Sequence, residues 1–316
     1  MIGGGEKLTI RRAFCQHGQI SLTYGMSRWS IAVAVAGALI VFGACRSDST
    51  SPDKATAIVI AHRGASFDAP EHTTAAFDLA VSQHADYMEL DIARSSDNAL
   101  VVIHDATLER TMRGSPPDCA GGVASRTIAQ MRTCDAGAWF NALYPSRASQ
   151  AFSGLRIQTV AEVIDRYPGT RLYIEIKNPE LYPGIESDLL ALLSARGLIG
   201  TSGDGLPRVF VQSFSRASLE KVRAINPEIP LIFLVPDIEG VESLVTDVAG
   251  FANGIGVPVS RTTRALVDRA HQSDILVHAY VSNDEQEMQS LLGLGVDGIF
   301  TDRPGVLVGV LVDDSP

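Results

Sequence analysis

Ile58-Val59-Ile60-Ala61-His62-Arg63-Gly64 opens the stretch whose reading decides the fold. Tyr87-Met88-Glu89-Leu90-Asp91-Ile92 and Leu100-Val101-Val102-Ile103-His104-Asp105 complete it. Each is a short apolar run of strand length that finishes in titratable residues. Between the first two lies Pro70-Glu71-His72-Thr73, and from Thr73 to His84 the apolar Ala76, Phe77, Ala80 and Val81 recur at helical spacing. A plain core has no use for charged groups at strand ends. A parallel sheet that mounts its chemistry at one edge requires them.

The alternation continues outward. Arg171–Lys177, Val209–Val211, Leu231–Val235, Gly254–Val257, Ile275–Val281 and Gly298–Phe300 read as strands. They are separated by helical segments at Val160–Tyr167, Gly184–Arg196, Ser215–Ile225, Ile238–Val248, Thr262–His271 and Asn283–Leu292, the fourth weaker than the rest and the last with Asn283 as its expected N-cap. Near-continuous apolar strands between helices imply a parallel sheet. Taking Val59, Met88, Ile174, Val211, Ile232, Ile255, Val277 and Ile299 as strand centres gives the repeat number of a TIM (β/α)8 barrel. A doubly wound sheet fits less well, because no Gly-x-Gly-x-x-Gly follows the first strand. The irregular stretch at about 106–156, with Gly114, Pro116, Pro117, Gly121 and Gly122, reads as an insertion after the second strand region.

The 316 residues are 46% hydrophobic, enough for one large core, and their net charge of -10 argues against a nucleic-acid partner. An acidic protein that handles an anionic substrate needs a local cation. Glu89 and Asp91 are two apart and share one face of a strand, where two carboxylates repel unless a cation lies between them. Glu175 ends another strand, with Lys177 on its face. Singly, each carboxylate reads as a salt-bridged barrel residue. Three at strand ends, with no cysteine nearby, favour a hard divalent ion, Mg²⁺ or Ca²⁺. His62 and His104 suit general acid–base work, and Arg63 offers a fork matched to phosphate oxygens. His17, His84 and His271 lack such company.

At the N-terminus, Arg28 precedes an unbroken apolar run from Ile31 to Ala44, shorter than the about 20 residues that span a bilayer and suited to a signal-peptide core. It ends in Gly43-Ala44-Cys45. This resembles a bacterial lipoprotein signal with Cys45 as the lipidated first residue, although Phe42 stands where that signal usually has Leu. On this reading residues 1–25, ahead of Met26, are an extension outside the folded protein. Residues 26–45 are the signal, 46–57 a polar tether and 58–310 the catalytic domain. The protein is then expected in the cell envelope, membrane-anchored or periplasmic. In an exported protein Cys119 and Cys134 can pair as a disulfide, worth about 3 kcal/mol at that loop length, and no Cys-x-x-Cys spacing suggests zinc.

The motifs carry a resemblance. His62-Arg63-Gly64, Pro70-Glu71-x-Thr73, Glu89-Leu90-Asp91 and His104-Asp105-x-Thr107-Leu108-x-Arg110-Thr111 are similar, in order, to those of the glycerophosphodiester phosphodiesterase family. So are Asp135-Ala136-Gly137-x-Trp139-Phe140, Glu175-Ile176-Lys177, Gln212-Ser213-Phe214 and Gly295-Val296-Asp297-Gly298-Ile299-x-Thr301-Asp302-x-Pro304. The resemblance implies a TIM barrel with Glu89, Asp91 and Glu175 on a divalent cation. It implies His62 and His104 as the acid–base pair, with His104 expected as base and His62 as acid. It places Arg63 on the phosphate, Lys177 in the substrate pocket, and Glu71, His72, Gln212 and Tyr280 around them. Two positions depart from the family pattern: His72 stands where it usually has Asn, and Tyr280 where it often has Trp. The implied reaction releases glycerol 3-phosphate and an alcohol from a small phosphodiester. The alternatives are a phospholipase acting on lysophospholipid or phosphatidylinositol, and a lipoprotein that captures phosphodiesters without turnover.

Overall fold

The computed structural model describes residues 57–313. Nine strands form one sheet: β1 (Ile58–Ala61), β2 (Tyr87–Arg94), β3 (Leu100–Val102), β4 (Arg171–Ile176), β5 (Val209–Ser213), β6 (Leu231–Leu234), β7 (Gly254–Pro258), β8 (Leu276–Tyr280) and β9 (Gly298–Thr301). Their order is β1-β9-β8-β7-β6-β5-β4-β2-β3, and β1 pairs back onto β2. Every pairing is parallel except β2 with β3. Nine strands less β3 leave the eight of a closed TIM barrel.

Helices Thr74–Ser82, Val160–Arg166, Ile185–Ala195, Arg216–Ile225, Arg264–Gln272, Glu285–Leu294 and Pro304–Asp313 follow strands along the chain. Several start on a side-chain cap: Thr73 accepts from the Ala76 N–H, Ser215 from Ser218 and Thr263 from Leu266. Thr159 and Glu162 form a reciprocal capping box. Each cap satisfies an orphan N–H and contributes about 1 kcal/mol.

Two expected elements differ. Asp284, not Asn283, caps the helix Glu285–Leu294, because the Asn283 amide is committed elsewhere: it donates to Asp302 Oδ2 at 2.6 Å and accepts from the Asp302 N–H at 2.8 Å. The segment 238–248 is a 3-10 turn, Val241–Leu244, followed by one α turn, Val245–Val248. Gly240, in the left-handed region at φ 75°, turns the chain there and starts the helix late.

Side-chain parity organises the interior. Ile60, Tyr87, Tyr173, Phe210, Ile232 and Phe300 form one buried cluster inside the barrel. The alternate residues, among them Val59, Met88, Leu90, Ile174, Val211 and Ile299, belong to the larger core outside the strands. Two positions further along the inward faces stand His62, Glu89, Glu175, Gln212 and Asp302. An aromatic plug thus fills the barrel, and polar residues stack above it toward the C-terminal ends of the strands.

The long connection after β3 is ordered. Cys119 and Cys134 are disulfide-bonded, with Cα atoms 5.5 Å apart. Asp135 accepts from the N–H groups of Gly137, Ala138 and Gly154 at 2.7–2.9 Å. Leu108, Met112, Val123 and Met131 are buried against the main core. The readings of residues 1–25 and 26–45, of Cys45, and of all but the last residue of the tether 46–57 lie outside the described residues. Among the described residues no helix is long and apolar enough to cross a membrane.

Candidate active site

The site is assembled where two chain ends meet. Along one edge of β2, β1 pairs with Tyr87 and Met88, and β3 pairs with Ile92 to Arg94 in the opposite direction. β1 therefore runs up and β3 runs down the same edge, so His62-Arg63 and His104-Asp105 converge beside Glu89 and Asp91. The Ile103 N–H binds the Asp91 carbonyl at 3.0 Å, which fixes the level at which His104 arrives. On the other edge of β2, β4 sets Glu175 opposite Asp91, and β5 sets Gln212 opposite Glu175.

A tight turn presents Arg63. Its φ is 58° and that of Gly64 is 84°, and a Cβ at Gly64 would sit 2.8 Å from the Ala76 backbone, so glycine is required. The turn aims the Arg63 N–H at Glu89 Oε2, 2.7 Å away. The guanidinium reaches Glu71 Oε1 at 3.2 Å and Asp91 Oδ2 at 3.2 Å.

Both catalytic candidates are oriented alike. His62 Nδ1 lies 2.7 Å from Asp302 Oδ1, and Ser66 and Asn283 also donate to that carboxylate. Burial pushes the Asp302 carboxyl up, but these bonds, led by His62, outweigh it and hold it at about 2. His104 Nδ1 lies 2.5 Å from Asp105 Oδ1. With each Nδ1 tied to a carboxylate, the Nε2 atoms are the ones turned to the site. Lys177 Nζ stands 3.1 Å from His104 Nε2 and 5.8 Å from the Phe214 ring. Burial lowers the His104 pKa, outweighing the attraction of Asp91.

Glu89, Asp91 and Glu175 are buried. Burial, and then repulsion from Asp91, raise Glu89 well above the carboxylate range and push Glu175 up to about 8. Burial acts the same way on Asp91, but His72 and Arg63 outweigh it and keep it low. The pocket therefore holds more acid than its own cations neutralise. Donor atoms of His72, Glu89 and Asp91 lie within 4.8 Å of one another, a spacing that fits a cation. Glu175 instead rests its Oε1 on Lys177 Nζ at 2.9 Å. Three buried polar atoms here, Arg63 Nε, His72 Nδ1 and Gln212 Oε1, have no hydrogen-bond partner. Carboxylates short of positive charge beside unpartnered donors and acceptors fit a divalent ion.

His72 is drawn into the site by its own backbone, at φ 58°, and its Nε2 lies 2.9 Å from Asp91 Oδ2. Gln212 Nε2 donates to Glu89 Oε1 at 3.4 Å. Tyr280 does not present its hydroxyl to the site: that group binds the Val235 carbonyl, and the ring stands edge-on to Phe214 as a wall. Motif reading assigned no role to Asp302, Ser66, Asn283, Asp105 or Arg110. Only Asp105 carries a local signal, as the carboxylate directly after a strand-end histidine; Asp302 lies 240 positions from His62. His278, inside the barrel, is spent on the Tyr173 hydroxyl at 2.7 Å, and burial lowers it to about 4.

Residues 62–306 match the model of the glycerophosphoryl diester phosphodiesterase family. A glycerophosphodiester phosphodiesterase of Bacillus subtilis (strain 168) is 36% identical over 269 residues, covering 84% of this chain and 89% of that protein. The structure of an Oleispira antarctica phosphodiesterase, in complex with the product sn-glycerol-3-phosphate, is similar with a TM-score of 0.68 and 27% identity, covering 81% of this chain and 97% of that one. A glycerophosphodiester phosphodiesterase structure from Agrobacterium tumefaciens str. C58 is similar at a TM-score of 0.66 and 29% identity, over 80% and 99% of the two chains.

Proposed function

The chain belongs to the glycerophosphoryl diester phosphodiesterase family and is a phosphodiesterase, and from that premise we propose that it hydrolyses glycerophosphodiesters to glycerol 3-phosphate and an alcohol, with His62 and His104 as its acid–base pair. The observation that carries this reading is the paired orientation of the two imidazoles. Each has Nδ1 on a carboxylate, and the two converge on the same buried acidic strand.

Arg63 binds the phosphate oxygens with its guanidinium fork. His104 is the base: with Nδ1 on Asp105, its Nε2 takes the proton of the nucleophile, a water or a glycerol hydroxyl of the substrate, once the Lys177 ammonium that stands on it turns to the substrate. His62 is the acid: Asp302 holds its Nδ1 and fixes the ring, and its Nε2 hands a proton to the departing alkoxide. Glu89 and Asp91, joined by Glu175 or His72, would hold a divalent cation, Ca²⁺ or Mg²⁺. That ion, when bound, supplies positive charge to the phosphoryl oxygens. Export, and a lipid anchor at Cys45, belong to this proposal on the sequence from Arg28 to Cys45 alone.

The test is glycerol 3-phosphate release from glycerophosphocholine by the purified full chain, with Ca²⁺, with Mg²⁺ and with a chelator. Metal-dependent release supports the reading, and His62→Ala or His104→Ala should each cost at least about 10²-fold in rate. A lipid substrate is the second reading. Phe67, Leu181 and Phe214 follow β1, β4 and β5 and are exposed on loops at the catalytic face. Turnover of lysophospholipid vesicles in preference to glycerophosphocholine would select it.

A further inference from the structure

Arg110 lies in the turn after β3, and one guanidinium there binds two carboxylates. Nη1 and Nη2 donate to the two oxygens of Glu71, each at 2.7 Å. Nε donates to Asp105 Oδ2 at 2.6 Å, and Nη2 also reaches Asp105 Oδ1 at 3.2 Å. Each of these carboxylates holds a second group. Glu71 Oε1 accepts from Arg63 Nη1 at 3.2 Å, and Asp105 Oδ1 holds His104 Nδ1 at 2.5 Å. A continuous chain, Arg63–Glu71–Arg110–Asp105–His104, thus joins the phosphate-binding arginine to the base.

We propose that Arg110 is a positioning residue for the reaction: it locks Glu71 and Asp105 in one plane and so sets Arg63 and His104 relative to each other. This rests on the roles given above to those two residues. Without Arg110, two carboxylates that now share one cation would repel. Asp105 would be free to turn away from Nδ1, and Glu71 would be free to turn from Arg63. Arginine is needed for the geometry, since its planar fork holds two carboxylates at once where a lysine ammonium offers one point charge. The Arg110 side chain is 42% exposed. Glu71 is only 10% exposed, so loss of Arg110 costs folding stability as well, and the rates are compared well below each variant's thermal midpoint.

The test uses the full chain and four variants, Arg110→Met, Arg110→Lys, Asp105→Asn and the double variant Arg110→Met/Asp105→Asn, with kcat and KM measured on glycerophosphocholine. Arg110→Met should lower kcat by about 10–100-fold, the scale of a misplaced reacting group, at a temperature where the variant is still folded. KM should rise less than kcat falls, and Arg110→Lys should recover part of the loss. The double variant should be no worse than the worse single variant, because both changes act through His104. An Arg110→Met enzyme that keeps wild-type kcat, or losses that multiply in the double variant, would overturn the inference and leave the functional reading standing. A wild-type chain inactive on every diester offered would overturn both.

Discussion

Asp302 Oδ1 stands 2.7 Å from His62 Nδ1, joining residues 240 positions apart across the seam between the last strand and the first. The carboxylate accepts the Nδ1 proton, which fixes the ring and leaves Nε2 to face the leaving group. In Asp302→Asn the amide can donate to Nδ1 instead, which turns the ring to the wrong tautomer. We expect kcat on glycerophosphocholine to fall by about 10²–10⁴-fold, the range that general acid–base catalysis contributes. A glycerophosphodiester with a p-nitrophenol leaving group needs little protonation, so the variant should turn it over at close to the wild-type rate. Equal losses on both substrates would show that His62 is not the acid.

Cation binding should be proton-linked, with a definite sign. Burial and Asp91 hold Glu175 at about 8, above its ordinary 4.5, and raise Glu89 in the same direction. A carboxyl raised by folding adds stability that is fully present below its unfolded value and lost as pH rises through the folded one. The cation-free protein should therefore lose thermal stability between about pH 4.5 and pH 8 through these groups, because the folded protein keeps protons that the unfolded chain has already released. A divalent ion replaces the protons, so its affinity should grow over the same window. The gap in thermal midpoint with and without Ca²⁺ or Mg²⁺, measured from pH 5 to pH 9, should widen with pH. A constant or shrinking gap would mean that these carboxylates do not receive the ion.

Much of this site could be read before any fold was known, and the reason is parity. Glu89 with Asp91, and Glu175 with Lys177, are each two apart on strands, so each pair had to share a face. The eight strand centres then put those faces inside the barrel. What could not be read was the antiparallel return of β3. The run Leu100–Ile103 reads as a strand that the count of eight leaves aside, but nothing local gives its direction. Only the pairing of Val102 with Ile92 shows that it lies outside the parallel set and delivers His104 downward onto Asp91. Asn283 was misread for a related reason. Its local sequence offers a helix cap, but a tertiary partner, Asp302, has the stronger claim on its amide. Local rules see neighbours within a turn, whereas these two contacts are decided by strands far apart in the chain.

The disulfide should stabilise the insertion selectively. Cys119 and Cys134, 15 residues apart, close a loop whose far end leads into Asp135, the residue that anchors Gly137, Ala138 and Gly154. Constraining a loop of that length is worth about 3 kcal/mol against the unfolded chain. In Cys119→Ser/Cys134→Ser, the thermal midpoint should fall and limited proteolysis should cut first within about 106–156, the stretch closed by this bond. A variant that is cut first elsewhere, at an unchanged midpoint, would show that the bond adds nothing here.

His72 gives the sharpest separation between a residue that holds a ligand and one that merely fills space. Its φ of 58° is a conformation that Asn tolerates better than most residues, so His72→Asn can keep the backbone as it is. The imidazole Nε2 is 2.9 Å from Asp91 Oδ2, inside a pocket that admits almost no water. His72→Ala leaves Asp91 without that partner, and we expect the affinity for Ca²⁺ or Mg²⁺ to fall by about 10–100-fold, the usual cost of losing a group that orients a metal ligand. His72→Asn, whose amide can donate to the same carboxylate, should retain most of the affinity. Titration calorimetry on the three proteins measures this directly, without reference to turnover. Should His72→Ala bind either ion as tightly as the wild type, the imidazole neither holds the cation nor orients Asp91.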